Sequence, residues 1–80
     1  MNVLDETTPS ATYSDGFVSV VFAGGARLSF PVRGNPLLER GSAAQLANMK
    51  VSRFGIHWPD LDEDLSFEGL ARGDYGQYGI

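Results

Sequence analysis

The sequence predicts a small α+β domain: a small antiparallel β-sheet, formed by a hairpin plus a return strand, with short helices packed on one face. Three observations predict it. Strand-forming runs at residues 17–22 (FVSVVF) and 26–32 (ARLSFPV) flank a Gly-Gly turn. Helix start and stop residues bracket short apolar segments between Asn35 and Met49, and again between Ser66 and Gly73. Eighty residues with 42% hydrophobic content suffice for one domain with one core. A chain of this size buries only about 60–65% of its unfolded surface. With no cysteine it has no disulfide staple, so it relies on a compact core or on self-association.

Taken in order, residues 1–10 are polar, contain Pro9 and lack periodicity. They read as a flexible N-terminal tail, with Val3 and Leu4 available to add a strand edge. The domain itself is expected over residues 11–73. Residues 12–16 (TYSDG) end in Asp-Gly, a turn signal entering the hairpin. Val18, Val20 and Phe22 form the dry face of the first run; in the second, Leu28, Phe30 and Val32 alternate with Arg27, Ser29 and Pro31. Pro31 cannot donate to a ladder, which places it on an edge or at a strand end. Asn35-Pro36 starts a helix of one or two turns that Gly41 stops. Ser42 caps a second segment whose Leu46 and Met49 face the sheet. Residues 50–56 form an extended return with Val51, Phe54 and Ile56 inward. Ser66 caps a short helix over residues 67–72, closed by Gly73 in a left-handed conformation. Residues 74–80 carry two glycines and read as a flexible C-terminal end.

Charge narrows the function classes. The net charge of −4 is concentrated: Asp60, Asp62, Glu63, Asp64 and Glu68 lie within a stretch from His57 to Glu68 that has no Lys or Arg. Direct nucleic-acid binding needs a basic patch and is not expected. No run approaches the ~18 apolar residues of a membrane span. The first ten residues lack the basic start and apolar block of a secretory signal, so a cytoplasmic location is expected.

The same stretch, GIHWPDLDEDLSFEGLARG, holds the only His and the only Trp. Asp60, Asp62 and Asp64 have the spacing that opens a calcium loop. The sixth and twelfth positions are Leu65 and Ala71 instead of Gly and Glu, so no metal and no cofactor is expected. A zinc site is expected still less, because one His and no Cys leave only carboxylates as ligands. His57 with Glu63 or Asp62 is the one conceivable catalytic pair, and no nucleophile elbow or phosphate-cradling loop accompanies it. No catalytic residues are therefore assigned. His57, Trp58, Leu61, Leu65, Ser66 and Gly73 read as structural: a turn histidine, a core lid, two core leucines, a cap and a helix stop. The acids also suit the N-terminus of the following helix. They form the expected partner-binding face.

The residues Gly55, His57, Trp58, Pro59, Asp62, Glu63, Asp64, Ser66, Glu68, Gly69 and Leu70 resemble the C-terminal signature of a small bacterial family, domain of unknown function 2442. Residues 25–32 (GARLSFPV) resemble its hairpin and residues 37–48 its two-part helical segment, so the likeness spans roughly residues 13–73. This chain has Gly24-Gly25 where Asp-Gly is usual and Gly34-Asn35 where an aromatic pair is usual. The resemblance implies a small α+β fold, no assigned catalysis, a fold-determining role for the acidic motif, and gene neighbourhoods that suggest toxin–antitoxin pairing.

The expected function is that of a non-catalytic acidic protein. It would inhibit a basic, nucleic-acid-handling partner, a protein or nucleoprotein complex, by occupying its nucleic-acid surface, as phage anti-CRISPR inhibitors do. An antitoxin-like partner of a small basic toxin and a housekeeping protein-interaction module are the alternatives. Self-association to a homodimer is open to it. The inhibitor reading comes first because the chain has no helix-turn-helix of the kind antitoxins use on their own operons. If Asp60, Asp62 and Asp64 share an extended segment, they repeat about every 6.6–6.8 Å on one side, a row suited to a phosphate-binding groove.

Overall fold

Asp15 and Gly16 both adopt positive φ, 51° and 86°. That is the backbone a two-residue hairpin turn requires to match strand twist. The turn joins β1 (Ser10–Ser14) to β2 (Phe17–Val21), and residues 22–26 then carry the chain into β3 (Arg27–Pro31). The computed structural model describes residues 8–77. In it these strands form one antiparallel sheet in the order β1-β2-β3, with Val18 opposite Phe30 and Val20 opposite Leu28. Pro31 is the last residue of the edge strand, where its missing N–H removes no bond of the β2–β3 ladder.

Asn35 opens the helical segment. Its side-chain oxygen accepts from the amides of Leu37 and Leu38, and Pro36 begins the turn that leads to a single 3₁₀ turn at Leu38–Arg40. Ser42 and Gln45 form a reciprocal capping box on α1 (Ala43–Ala47). The chain then enters β4 (Lys50–Val51), β5 (Gly55–Trp58) and β6 (Glu63–Ser66), a second antiparallel sheet in that order. Ser66 caps α2 (Phe67–Ala71). At its end Gly73 sits at φ 89°, with Gly73 N–H on the Leu70 carbonyl (3.0 Å) and Asp74 N–H on that of Gly69 (2.9 Å). That pair of bonds is a Schellman cap.

Both sheets feed one core. Val18, Val20 and Phe30 meet Ile56, Trp58 and Leu65, with Leu38, Leu46, Phe67 and Leu70 from the helical parts. Phe22 packs edge-on against Phe67, with ring centroids 5.1 Å apart.

The fold is the α+β, antiparallel class expected, but it holds two three-stranded sheets in place of one hairpin with a return strand. The expected return splits into β4 and β5 around a turn at residues 52–54, and half of the acidic stretch is strand β6. Phe54, expected inward, lies at the tip of that turn and is 76% exposed. The ordered chain also extends past residues 11–73. Pro9 is buried and Ser10 pairs with Val21. Tyr75 stacks on Phe30 at 6.1 Å, so residues 74–77 are docked against the body. The tail expected over residues 1–7, with Val3 and Leu4, and the end at residues 78–80 lie outside the described residues.

Candidate functional site

Alternation along β5 decides what each residue of the GIHW segment can do. Ile56 and Trp58 point into the core at 2% and 0% exposure, so Gly55 and His57 point outward. The Trp58 indole N–H donates to the Leu46 carbonyl at 3.0 Å. That carbonyl belongs to the last turn of α1, which has no intrahelical donor for it. Trp58 thus ties the second sheet to α1. Gly55 is required by close approach: a Cβ there would meet the Leu65 carbonyl and the Ser66 Cα of β6.

His57 lies directly opposite Asp64 on β6 and Lys50 on β4. The Phe54 carbonyl accepts from Phe67 N–H, which makes 57–64 a non-hydrogen-bonded pair, the kind whose side chains stand closest. His57 Nδ1 is 2.9 Å from Asp64 Oδ1, with side chains 39% and 78% exposed. With Nδ1 donating, Asp64 fixes the imidazole tautomer and leaves Nε2 free to accept. The histidine's partner is therefore Asp64, where the sequence pointed to Glu63 or Asp62. The hydroxyls nearest in the chain are engaged: Ser66 accepts from Gly69 N–H, and Ser52 from the Phe54 and Gly55 amides. Among the described residues no hydroxyl hydrogen-bonds His57.

The acidic residues do not form the single row that an extended segment would give. Residues 59–62 are a turn, with Asp62 at φ 54°, and Asp64 lies on the strand beyond it. Leu61, half-buried, packs on the core between the two turn aspartates, and Leu65 is buried on β6. Asp60 accepts from the Asn48 side-chain amide at 2.9 Å. Glu63 accepts from Asn35 Nδ2 at 2.9 Å and, through its other oxygen, from Asp64 N–H at 3.0 Å. Glu68 lies exposed in the first turn of α2. Among the described residues, no Lys or Arg pairs with any of these five carboxylates. No group of three or more potential metal ligands occurs among them either. Among the described residues no helix is long and apolar enough to cross a membrane.

Two features escaped the sequence reading. Asn35, expected only as a cap, is wholly buried and bonds four groups: Leu37 N–H, Leu38 N–H, the Glu63 carboxylate and the Tyr75 carbonyl. A buried Asn replacing an aromatic of the usual pattern was the available signal. The other is the outward Phe54, with the Arg53 guanidinium 5.8 Å from its ring centre.

Comparison with known proteins agrees with this architecture. A family model described as "Protein of unknown function (DUF2442)" matches residues 9–76. A crystal structure of a protein of unknown function from Rhodospirillum rubrum superposes with a TM-score of 0.75 at 34% identity, covering 88% of this chain and 93% of that one. No curated protein matches the chain. With its hairpin, capped helical segment and HWP-containing clasp matched along nearly all the described residues, the chain belongs to the DUF2442 family.

Proposed function

We propose that this is a non-catalytic binding domain that engages a basic, nucleic-acid-handling protein through the acidic β5–β6 hairpin and the start of α2. One observation carries the reading: Asp60, Asp62, Glu63 and Glu68 have no cationic partner among the described residues. Asn48 and Asn35 orient Asp60 and Glu63 through neutral amides. Asp60, Asp62 and Glu68 are thus exposed and unneutralised, which favours fast, salt-sensitive association with a basic surface. The recognition is by a turn and a helix start, with Asp64 committed to His57.

The test follows the local geometry. Asp62 occupies the left-handed region, which Asn tolerates about as well as Asp, and Asn at position 60 can still bond Asn48. The double substitution Asp60→Asn with Asp62→Asn therefore removes charge and spares the fold. A pull-down against bacterial DNA- and RNA-binding proteins, at low and moderate salt, should show capture by the native protein and loss with the double variant. The circular dichroism spectrum should not change. Undiminished, salt-insensitive capture by the variant would end the acidic-contact reading.

A further inference from the structure

β3 is an edge strand, and two bonds fix which of its backbone groups face outward. Phe22 N–H donates to the Ala26 carbonyl (2.8 Å), and Val32 N–H to the Gly16 carbonyl (2.9 Å). Bonded pairs alternate along an antiparallel ladder. Residues 26, 28, 30 and 32 therefore turn their backbone toward β2, and Arg27, Ser29 and Pro31 turn theirs away. No described residue bonds those outward groups. The other edges differ. α1 packs beside β1, β4 has two residues, and on β6 the Asp64 amide is taken by the Glu63 side chain. β3 is a five-residue open edge, a template for another strand.

We propose that β3 pairs antiparallel with β3 of a second copy about a two-fold axis through Ser29, joining two three-stranded sheets into one continuous sheet. The donors of this strand can be matched by a second copy, and they select its register. Only Arg27 and Ser29 offer an outward N–H, because Pro31 has none. Centred on Ser29, each Ser29 N–H meets the Ser29 carbonyl of the other copy, and each Arg27 N–H meets the opposite Pro31 carbonyl. Both donors are satisfied, and the unmatched acceptors fall at the two ends. Centring on Arg27 would face two guanidinium groups, and centring on Pro31 would face two residues without donors. In the Ser29 register Leu28 of one copy stands across from Phe30 of the other in a non-bonded pair, where side chains approach most closely. Leu28 is only half-buried in the single chain and gains cover there. The contact is isologous, as closed dimers require. It is independent of the acidic hairpin.

Sedimentation and light scattering of the full chain, from micromolar to near-millimolar concentration, test the proposal together with amide hydrogen exchange. The expected result is a dimer in which the Arg27 and Ser29 amides are protected and lose protection on dilution, while Leu28 and Phe30 stay protected. Ser29 is exposed on the outer face, so Ser29→Lys spares the fold and sets two ammonium groups against each other at the axis. It should weaken the dimer by about tenfold or more at low salt and less at high salt. Ser29→Pro removes the central donor without touching the β2–β3 ladder and should also give monomer. A wild-type monomer over the whole range would overturn the proposal, as would an equally tight dimer in both variants. Concentration-independent protection of Arg27 and Ser29 would overturn it too, since the edge would then be covered within one chain.

Discussion

Replacing Asn35 with alanine removes a buried amide that joins three separate parts of the chain. Its oxygen caps Leu37 and Leu38 N–H at 3.0 and 3.1 Å; its nitrogen donates to Glu63 Oε2 at 2.9 Å and to the Tyr75 carbonyl at 2.8 Å. Loss of such a cap costs about 1 kcal/mol. Each acceptor left unpaired costs ~1–3 kcal/mol, and the low end applies because Glu63 keeps its bond to Asp64 N–H. The sum is about 3 kcal/mol. At 0.05–0.15 kcal/mol per residue a domain of this length has roughly 4–12 kcal/mol in total. At roughly 4–8 °C per kcal/mol, Tm should fall by about 12–24 °C. Thermal and urea unfolding followed by circular dichroism measure this directly. Asn35→Asp isolates the donor side: it keeps both cap acceptors but presents a carboxylate to Glu63, and should cost at least as much as alanine at neutral pH. Adding Glu63→Gln supplies an amide donor and should restore about 1 kcal/mol or more in a double-mutant cycle. An alanine variant within about 1 kcal/mol of wild type, or an additive cycle, would refute the bridging role of Asn35.

Two further outcomes check the core and the strand spacing. Trp58→Phe keeps most of the ring volume but strands the Leu46 carbonyl, at a cost of ~1–3 kcal/mol, whereas Trp58→Ala should lose ~3–5 kcal/mol; denaturant midpoints separate the two. Gly55→Ala forces β5 and β6 apart and should cost roughly 1–3 kcal/mol. The adjacent Phe54→Ser, on the exposed tip, should stay within about 0.5 kcal/mol of wild type in the same melts, and the reverse order would place Phe54 in the core.

What the sequence determined by itself are the features whose causes lie within a few residues. Asp15-Gly16 reads as a turn, Ser42 as a helix cap, and Gly73 as a left-handed stop, and each is so in the fold. The two-residue alternation put Val18, Val20, Phe30 and Ile56 inside, and a Pro at position 31 confined β3 to an edge. Tertiary structure decided the rest. The segment DEDLS holds enough acid to read as a solvated approach to a helix. It becomes strand β6 because a turn at residues 59–62 folds it back on β5, where Leu65 can be buried opposite Ile56. That pairing, and no local rule, brings His57 to Asp64 and takes Asp64 out of any row with Asp60. Likewise Asn35 meets Glu63 and Tyr75 across 28 and 40 residues of chain, and so docks residues that composition alone marks as a loose end. Caps and turns are fixed by the bonds a residue makes to its own neighbours. Contacts across long separations form only once a shared core offsets the entropy of closing the intervening loop, and only the assembled fold shows which ones do.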